Sequence, residues 1–160
     1  MVCVGEKLQR FTLIDHHGVV FDSEQVKGQR LLLSFHPLAW TPVCTRQMRS
    51  LEKNVEAFKM NRTIAVGVSV DSVPCKTAWA KKIKIEHTRM LSDFWPHGAL
   101  AEQLGIFRHE NGFSERANII ADAAGTIIFA KLYPLREVPD IKEIIDFLTE
   151  TWRGTPNRMS

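Results

Sequence analysis

The sequence contains three cysteines, and one of them falls where a helix favours an anion. In the run Pro37-Leu38-Ala39-Trp40-Thr41-Pro42-Val43-Cys44, Thr41 is a favoured N-cap and Pro42 a favoured first helical residue. Cys44 then takes the third helical position, where a capping box would carry Glu. Unpaired amides and the positive end of the helix dipole favour thiolate over thiol at such a place, and the thiolate is the nucleophile. The same residue opens an apolar stripe of Cys44, Met48, Leu51, Val55 and Phe58, so a small buried hydrophobe is the competing reading. Cys75 lies 31 residues later, behind Pro74 at the start of a second expected helix. It reads either as a partner thiol for Cys44 or as a partly buried, inert one. Cys3 precedes the first strand on a terminus expected to be mobile. Position 47 is Gln, so there is no Cys-x-x-Cys pair of the disulfide oxidoreductase kind. Among six histidines and three cysteines no pair has zinc-site spacing, and no metal is expected.

The elements that must position Cys44 follow from apolar periodicity. Residues 11 to 22 alternate weakly around Asp15-His16-His17-Gly18, as an N-terminal β-hairpin would. Leu31 to Phe35 and Thr63 to Val70 are near-continuous apolar runs, expected of interior strands. The Cys44 stripe predicts one long helix between them, which makes a βαβ crossover. A helix over 75–84, a short one over 99–104 ending at Gly105, a hairpin of 117–121 with 126–132 about residues 122–125, and a closing helix on Ile141, Ile144, Ile145 and Leu148 complete the order. A βαβ unit followed by ββα, with helices on both faces of a mixed sheet, is a thioredoxin-like α/β fold. One domain is expected over residues 1–160, with a frayed tail from Arg153 to Ser160. Both helices of a right-handed crossover arrangement start at the carboxyl edge of the parallel strands, so Cys44 and Cys75 are expected at one edge. Neighbouring helix starts lie roughly 10 Å apart and a disulfide needs Cα atoms within about 7 Å, so joining the two would unwind the turn around Cys44.

Composition narrows the function classes. Twenty-one Lys and Arg against 18 Asp and Glu leave a net charge of +3, without a block of five like charges, so a nucleic-acid footprint is absent. Trp79, Trp95 and Trp152 accordingly read as core or interface aromatics. No apolar run approaches about 18 residues and the opening residues do not resemble a signal peptide, so a cytoplasmic protein without membrane attachment is expected. An odd cysteine count fits a reducing compartment.

Pro37, Thr41 and Cys44, directly after an apolar strand, resemble the Pro-x-x-x-Thr-x-x-Cys motif of the peroxiredoxins. Ser69-Val70-Asp71-Ser72 with Ala78-Trp79-Ala80, Leu91-Ser92-Asp93-Phe94-Trp95-Pro96-His97-Gly98, and Ser114-Glu115-Arg116-Ala117-Asn118 extend the resemblance over nearly the whole chain. The Asp93 to Gly98 segment is most similar to the branch holding the E-type, one-cysteine alkyl hydroperoxide reductases. The resemblance implies reduction of hydrogen peroxide and organic hydroperoxides without a cofactor, Cys44 attacking a peroxide oxygen and becoming a sulfenic acid. Thr41 would hydrogen-bond the thiolate and the peroxide, Pro37 would exclude water, and Arg116 would stabilise the thiolate and the breaking O–O bond. For Arg116 alone the competing reading is a surface ion pair with Glu115 or Asp122. A thioredoxin- or glutaredoxin-like reductant and a homodimer, with the Trp40 loop as a contact, are also implied. Cys75 is expected to resolve the sulfenic acid as an intramolecular disulfide. A different class of function is a peroxide-responsive thiol sensor or redox chaperone, which would stop after one equivalent of peroxide. Gln47 stands where an acidic residue is usual and His36 where an aromatic is usual, so Arg116 is expected to be either freer to act on Cys44 or less well held. The start from Gly5 to Phe11 also lacks the usual proline and aspartate, which bears on packing.

Overall fold

The computed structural model describes residues 1–153. β1 (Thr12–Asp15) and β2 (Val20–Asp22) form the expected hairpin, whose turn is tied by Asp15 Oδ1 accepting from the amides of His17 and Val19 and by Gly18 at φ +78°. Then follow β3 (Arg30–Phe35), α1 (Pro42–Lys53), α2 (Val55–Met60), β4 (Thr63–Ser69), α3 (Val73–Ile83), β5 (Arg89–Ser92), α4 (Ala99–Gln103), β6 (Phe107–Arg108), β7 (Phe113–Ser114), β8 (Arg116–Ala121), β9 (Ile127–Tyr133) and α5 (Ile141–Arg153). The main sheet has the order β2-β1-β5-β4-β3-β8-β9. β3, β4 and β5 are parallel neighbours, while β8 runs antiparallel to β3 and β9 to β8. This is the mixed, thioredoxin-like sheet that the sequence predicts.

The period of two divides the core between the faces. Leu31, Leu33 and Phe35 of β3 join Val66, Val68, Leu91, Ile119 and the α4 residues Leu100 and Ala101 on one side. Leu32 joins Cys44, Met48, Leu51, Phe58, Trp79, Ile83, Ile144 and Leu148 on the other, where α1, α2, α3 and α5 pack. Each fully buried aliphatic or aromatic side chain contributes about 1.5–3 kcal/mol.

Two expectations need correction. The single long helix is broken into α1 and α2 at Asn54, whose backbone leaves helical geometry (φ −110°, ψ 20°). Its side-chain amide donates to Ser50 O at 2.7 Å, so a short polar side chain competes with the backbone ladder while the apolar stripe runs on across the break. The amino terminus is also anchored: Val2 N–H donates to Leu104 O, Gly5 N–H to Ile127 O and Leu8 N–H to Gly125 O, so exposed Cys3 sits on a fixed segment. Residues 154–160 of the tail expected to fray lie outside the described residues. Among the described residues no helix is long and apolar enough to cross a membrane.

Candidate active site

Cys44 is buried in the first turn of α1, just beyond the carboxyl end of β3. Thr41 occupies the N-cap position in extended conformation (φ −104°, ψ 150°), but its side chain does not cap the helix. Its hydroxyl donates to Leu38 O at 2.8 Å instead. A carbonyl can only accept, so Thr41 spends its single proton there and retains acceptor capacity alone. The expected donation from Thr41 to the sulfur is therefore absent. The loop that carries this residue is pinned elsewhere. Pro37 is buried, Ala39 N–H donates to Asp71 Oδ2 at 2.8 Å, and Trp40 adopts a left-handed backbone (φ 69°) with its indole near Cys75 and its ring half exposed.

Arg116 opens β8, which lies beside β3, and its guanidinium is buried against α1. Nη1 donates to Cys44 Sγ at 3.4 Å and to Gln47 Oε1 at 2.6 Å, while Nε and Nη2 donate to Leu135 O at 3.2 and 2.7 Å. Gln47 is fixed at its other end: Nε2 donates to Ser34 Oγ at 2.8 Å and Phe35 O at 3.0 Å. The polar Ser34, next to the apolar run Leu31 to Leu33, thus serves to aim the Gln47 carbonyl oxygen at Arg116. The amide holds the guanidinium without neutralising it, which removes the expectation of a poorly held arginine. The surface ion-pair reading also fails, because Arg116 is buried, Glu115 pairs with Arg108 at 2.7 Å and Asp122 accepts from the amides of Ala124 and Thr126.

A second buried polar group lies where α3 meets the ends of β3 and β4. Lys76 is wholly buried, its Nζ donating to Ser69 Oγ at 2.6 Å and lying 3.3 Å from His36 Nε2. Burial lowers the lysine to about 7, and burial next to Lys76 keeps His36 neutral, well below the ordinary histidine range. Ser69 Oγ donates to Asp71 Oδ2 at 2.6 Å, and Cys75 Sγ donates to Asp71 Oδ1 at 3.8 Å. Burial, followed by the Asp71 charge, raises the Cys75 thiol. Cys75 is half-buried in the first turn of α3, at the same sheet edge as Cys44 and packed against the apolar cluster that contains it. All three cysteines are free.

The sequence reading missed Lys76, Ser69 and Asp71 as site residues. A signal for Lys76 was present: residues 76, 79, 80 and 83 form the buried stripe of α3, and a lysine on such a stripe needs buried partners. Trp79 is core, whereas Trp95 is 82% exposed and cannot be. Trp152 lies under the guanidiniums of Arg30 and Arg62. Among the described residues no group of three His, Cys, Asp or Glu side chains is placed to hold a metal ion. The Asp93 to Gly98 segment is held by the buried Asp93 carboxylate, which accepts from the amides of Leu100 and Ala101 at 3.0 Å each and so starts α4.

The AhpC/TSA family profile matches residues 4–130. Alkyl hydroperoxide reductase E of Mycobacterium tuberculosis is 32% identical over 141 residues, covering 88% of this chain and 92% of that protein. Peroxiredoxin 2 of Sulfurisphaera tokodaii is 32% identical over 148 residues, covering 89% and 69%. In fold, the chain superposes on Enterococcus faecalis AhpC with a TM-score of 0.89 at 21% identity, covering 98% and 96% of the two chains. Reduced 2-Cys peroxiredoxin of Plasmodium vivax gives a TM-score of 0.88 at 22% identity, covering 96% and 84%.

Proposed function

The chain belongs to the AhpC/TSA family of peroxiredoxins, which are thiol-dependent peroxidases, and we propose that Cys44 is its peroxidatic nucleophile. The Cys44 thiolate attacks one peroxide oxygen, an S–O bond forms, the O–O bond breaks, and water or an alcohol leaves. The observation that carries this reading is the Arg116 guanidinium, fixed by Gln47 and Leu135 and donating to Cys44 Sγ at 3.4 Å. It is positioned to stabilise the negative charge of the thiolate and of the leaving oxygen. Thr41, as an acceptor, orients the peroxide by its O–H, and buried Pro37 excludes water.

Ionisation alone does not supply the catalysis. A thiol of ordinary pKa is about 3% ionised at pH 7, so full ionisation gains only about thirtyfold. A rate enhancement of about 10⁶ leaves on the order of 6 kcal/mol to orientation and charge stabilisation. Arg116 and the helix start are the donors in place for that work.

The product on Cys44 is a sulfenic acid, which Cys75 resolves as an intramolecular disulfide, and a thioredoxin- or glutaredoxin-like dithiol reduces the pair. Support comes from the placement of Cys75 at the same sheet edge, beneath Trp40 of the active-site loop. The functional unit is a homodimer: Leu38, Trp40, Phe94 and Trp95 are large exposed apolar side chains on the two loops flanking this edge, and a second copy would cover them. Three free cysteines fit a reducing compartment such as the cytoplasm.

The test is consumption of hydrogen peroxide and an alkyl hydroperoxide with dithiol reductants, followed by a peptide map of the oxidised protein. Many equivalents consumed by the wild type and none by Cys44→Ser is the expected result. A serine variant of comparable rate would refute the assignment, and a reaction that stops after one equivalent would indicate a sensor.

A further inference from the structure

The two oxygens of Asp71 are bonded differently. Oδ2 receives Ala39 N–H at 2.8 Å and Ser69 O–H at 2.6 Å. Ser69 is oriented in turn by the buried Lys76, which donates to its oxygen at 2.6 Å, so the hydroxyl proton must point to the carboxylate. With Oδ2 taken, Oδ1 is the oxygen that meets Cys75 Sγ, at 3.8 Å. A completely buried lysine is costly unless it serves a partner, and the partner reached here through Ser69 is the carboxylate that touches the Cys75 thiol. The consequence at rest is a Cys75 held as thiol by burial and by the Asp71 charge. Such a sulfur ignores peroxide, yet is a strong nucleophile once its proton is taken.

We propose that Asp71 is the general base of the resolving step, accepting the Cys75 proton, and that Ser69 and Lys76 are positioning residues that aim it. The proposal rests on Cys75 being the resolving cysteine. In the step itself, Cys75–SH and Cys44–SOH give the Cys44–S–S–Cys75 bond and one water. The Cys75 sulfur is oxidised and the Cys44 sulfur reduced, the S–O bond breaks, and the departing hydroxide leaves as water with the proton that Asp71 took up. The charged and titratable groups facing this relay are His36 from the end of β3, Cys44 from α1, Asp93 after β5 and His16 from the β1–β2 turn. His36 stays neutral and so adds no competing charge beside Lys76.

Rapid-quench mass spectrometry with hydrogen peroxide reads the two half-reactions separately, as sulfenic acid on Cys44 and as Cys44–Cys75 disulfide. General-base assistance is worth about 10²-fold, so Asp71→Asn should slow disulfide formation at least about tenfold more than it slows sulfenic acid formation. Without the base the step depends on free thiolate, which rises tenfold per pH unit below the thiol's pKa, so the variant's resolution rate should climb more steeply with pH than the wild type's. Lys76→Met should show a smaller loss in the same half-reaction. Equal slowing of both half-reactions, the signature of a carboxylate that merely holds the Ala39 loop, would overturn the proposal, as would an unchanged pH profile. A wild-type protein that turns over with Cys75 still free would instead overturn the resolving role itself. That outcome is distinct from a wild-type disulfide formed at the same rate in Asp71→Asn, which overturns the base alone.

Discussion

Lys76 is completely buried, and burial lowers it from the usual 10.5 to about 7, so replacing it with methionine should change how stability depends on pH. The unfolded chain keeps the ordinary lysine value. Between pH 7 and 10.5 it therefore binds a proton at this residue that the folded protein binds only in part, and folded-state stability rises with pH through that window. Each pH unit of full difference is worth about 1.36 kcal/mol, and with half-occupancy at the lower end the gain from pH 7 to 9 is about 2 kcal/mol. Met is similar in volume and does not titrate, so the other groups contribute alike to both proteins and cancel in the comparison. The assay is guanidinium unfolding of the reduced wild type and Lys76→Met at pH 7, 8 and 9, at fixed ionic strength, followed by tryptophan fluorescence. The stability of the variant relative to the wild type should fall by about 2 kcal/mol from pH 7 to pH 9, a readable part of a typical 5–15 kcal/mol. A gap that stays constant over those two units would mean that the buried amine is charged throughout, and the reasoning about its burial would be wrong.

Arg116→Met removes the donor to Cys44 Sγ and should lower the second-order rate with peroxide by about 10²–10³, measured by stopped-flow; an unchanged rate would return Arg116 to a structural role. Gln47→Leu strips acceptor and donor contacts from Arg116, Ser34 and Phe35 O in a buried place, and should cost about 2–4 kcal/mol in denaturant unfolding as well as slowing peroxide reduction. Sedimentation of the wild type should give a dimer at micromolar concentration, and replacing exposed Trp40 and Trp95 with serine should shift it toward monomer; a monomeric wild type would refute the proposed contact.

Much of the frame was legible because periodicity is a local property of the chain. β3, β4, β8 and β9 are apolar runs bounded by turn residues, and the amphipathic stripes of α1 and α5 are regular. β5, four residues long, and the two-residue strands β6 and β7 carry too few residues to show a period; pairing makes them strands, β5 with the distant β1 and β4, and β6 with β7 across a short hairpin. Asn54 interrupts a helix whose stripe is unbroken, so the pattern alone overran it. At the site, the helix-start positions marked Cys44 and Cys75, and the resemblance to the peroxiredoxin motif implied Thr41, Pro37 and Arg116, but the bonds among them are tertiary. The direction of the Thr41 hydroxyl depends on where Leu38 O lies, and the role of Gln47 depends on a serine thirteen residues away in β3.

These bonds also define which part of the protein must move for Cys75 to reach Cys44. The loop before α1 is held on one side where Ala39 N–H meets Asp71 and on the other where Gln47 meets Ser34 and Arg116. Between those anchors lie residues 40–46, which contain the strained backbone of Trp40, the proline at the first helical position and a helix start without a side-chain cap. A cap is worth about 1 kcal/mol, so this turn begins with one restraint fewer than an ordinary helix start. The disulfide proposed here needs Cα atoms within about 7 Å, and unwinding confined to residues 40–46 can supply that approach while Gln47 and the rest of α1 keep their packing. Thr41 turning its hydroxyl away from the helix would serve both proposed half-reactions: it would present acceptor lone pairs to the peroxide first, and would leave the Cys44 turn easier to open afterwards.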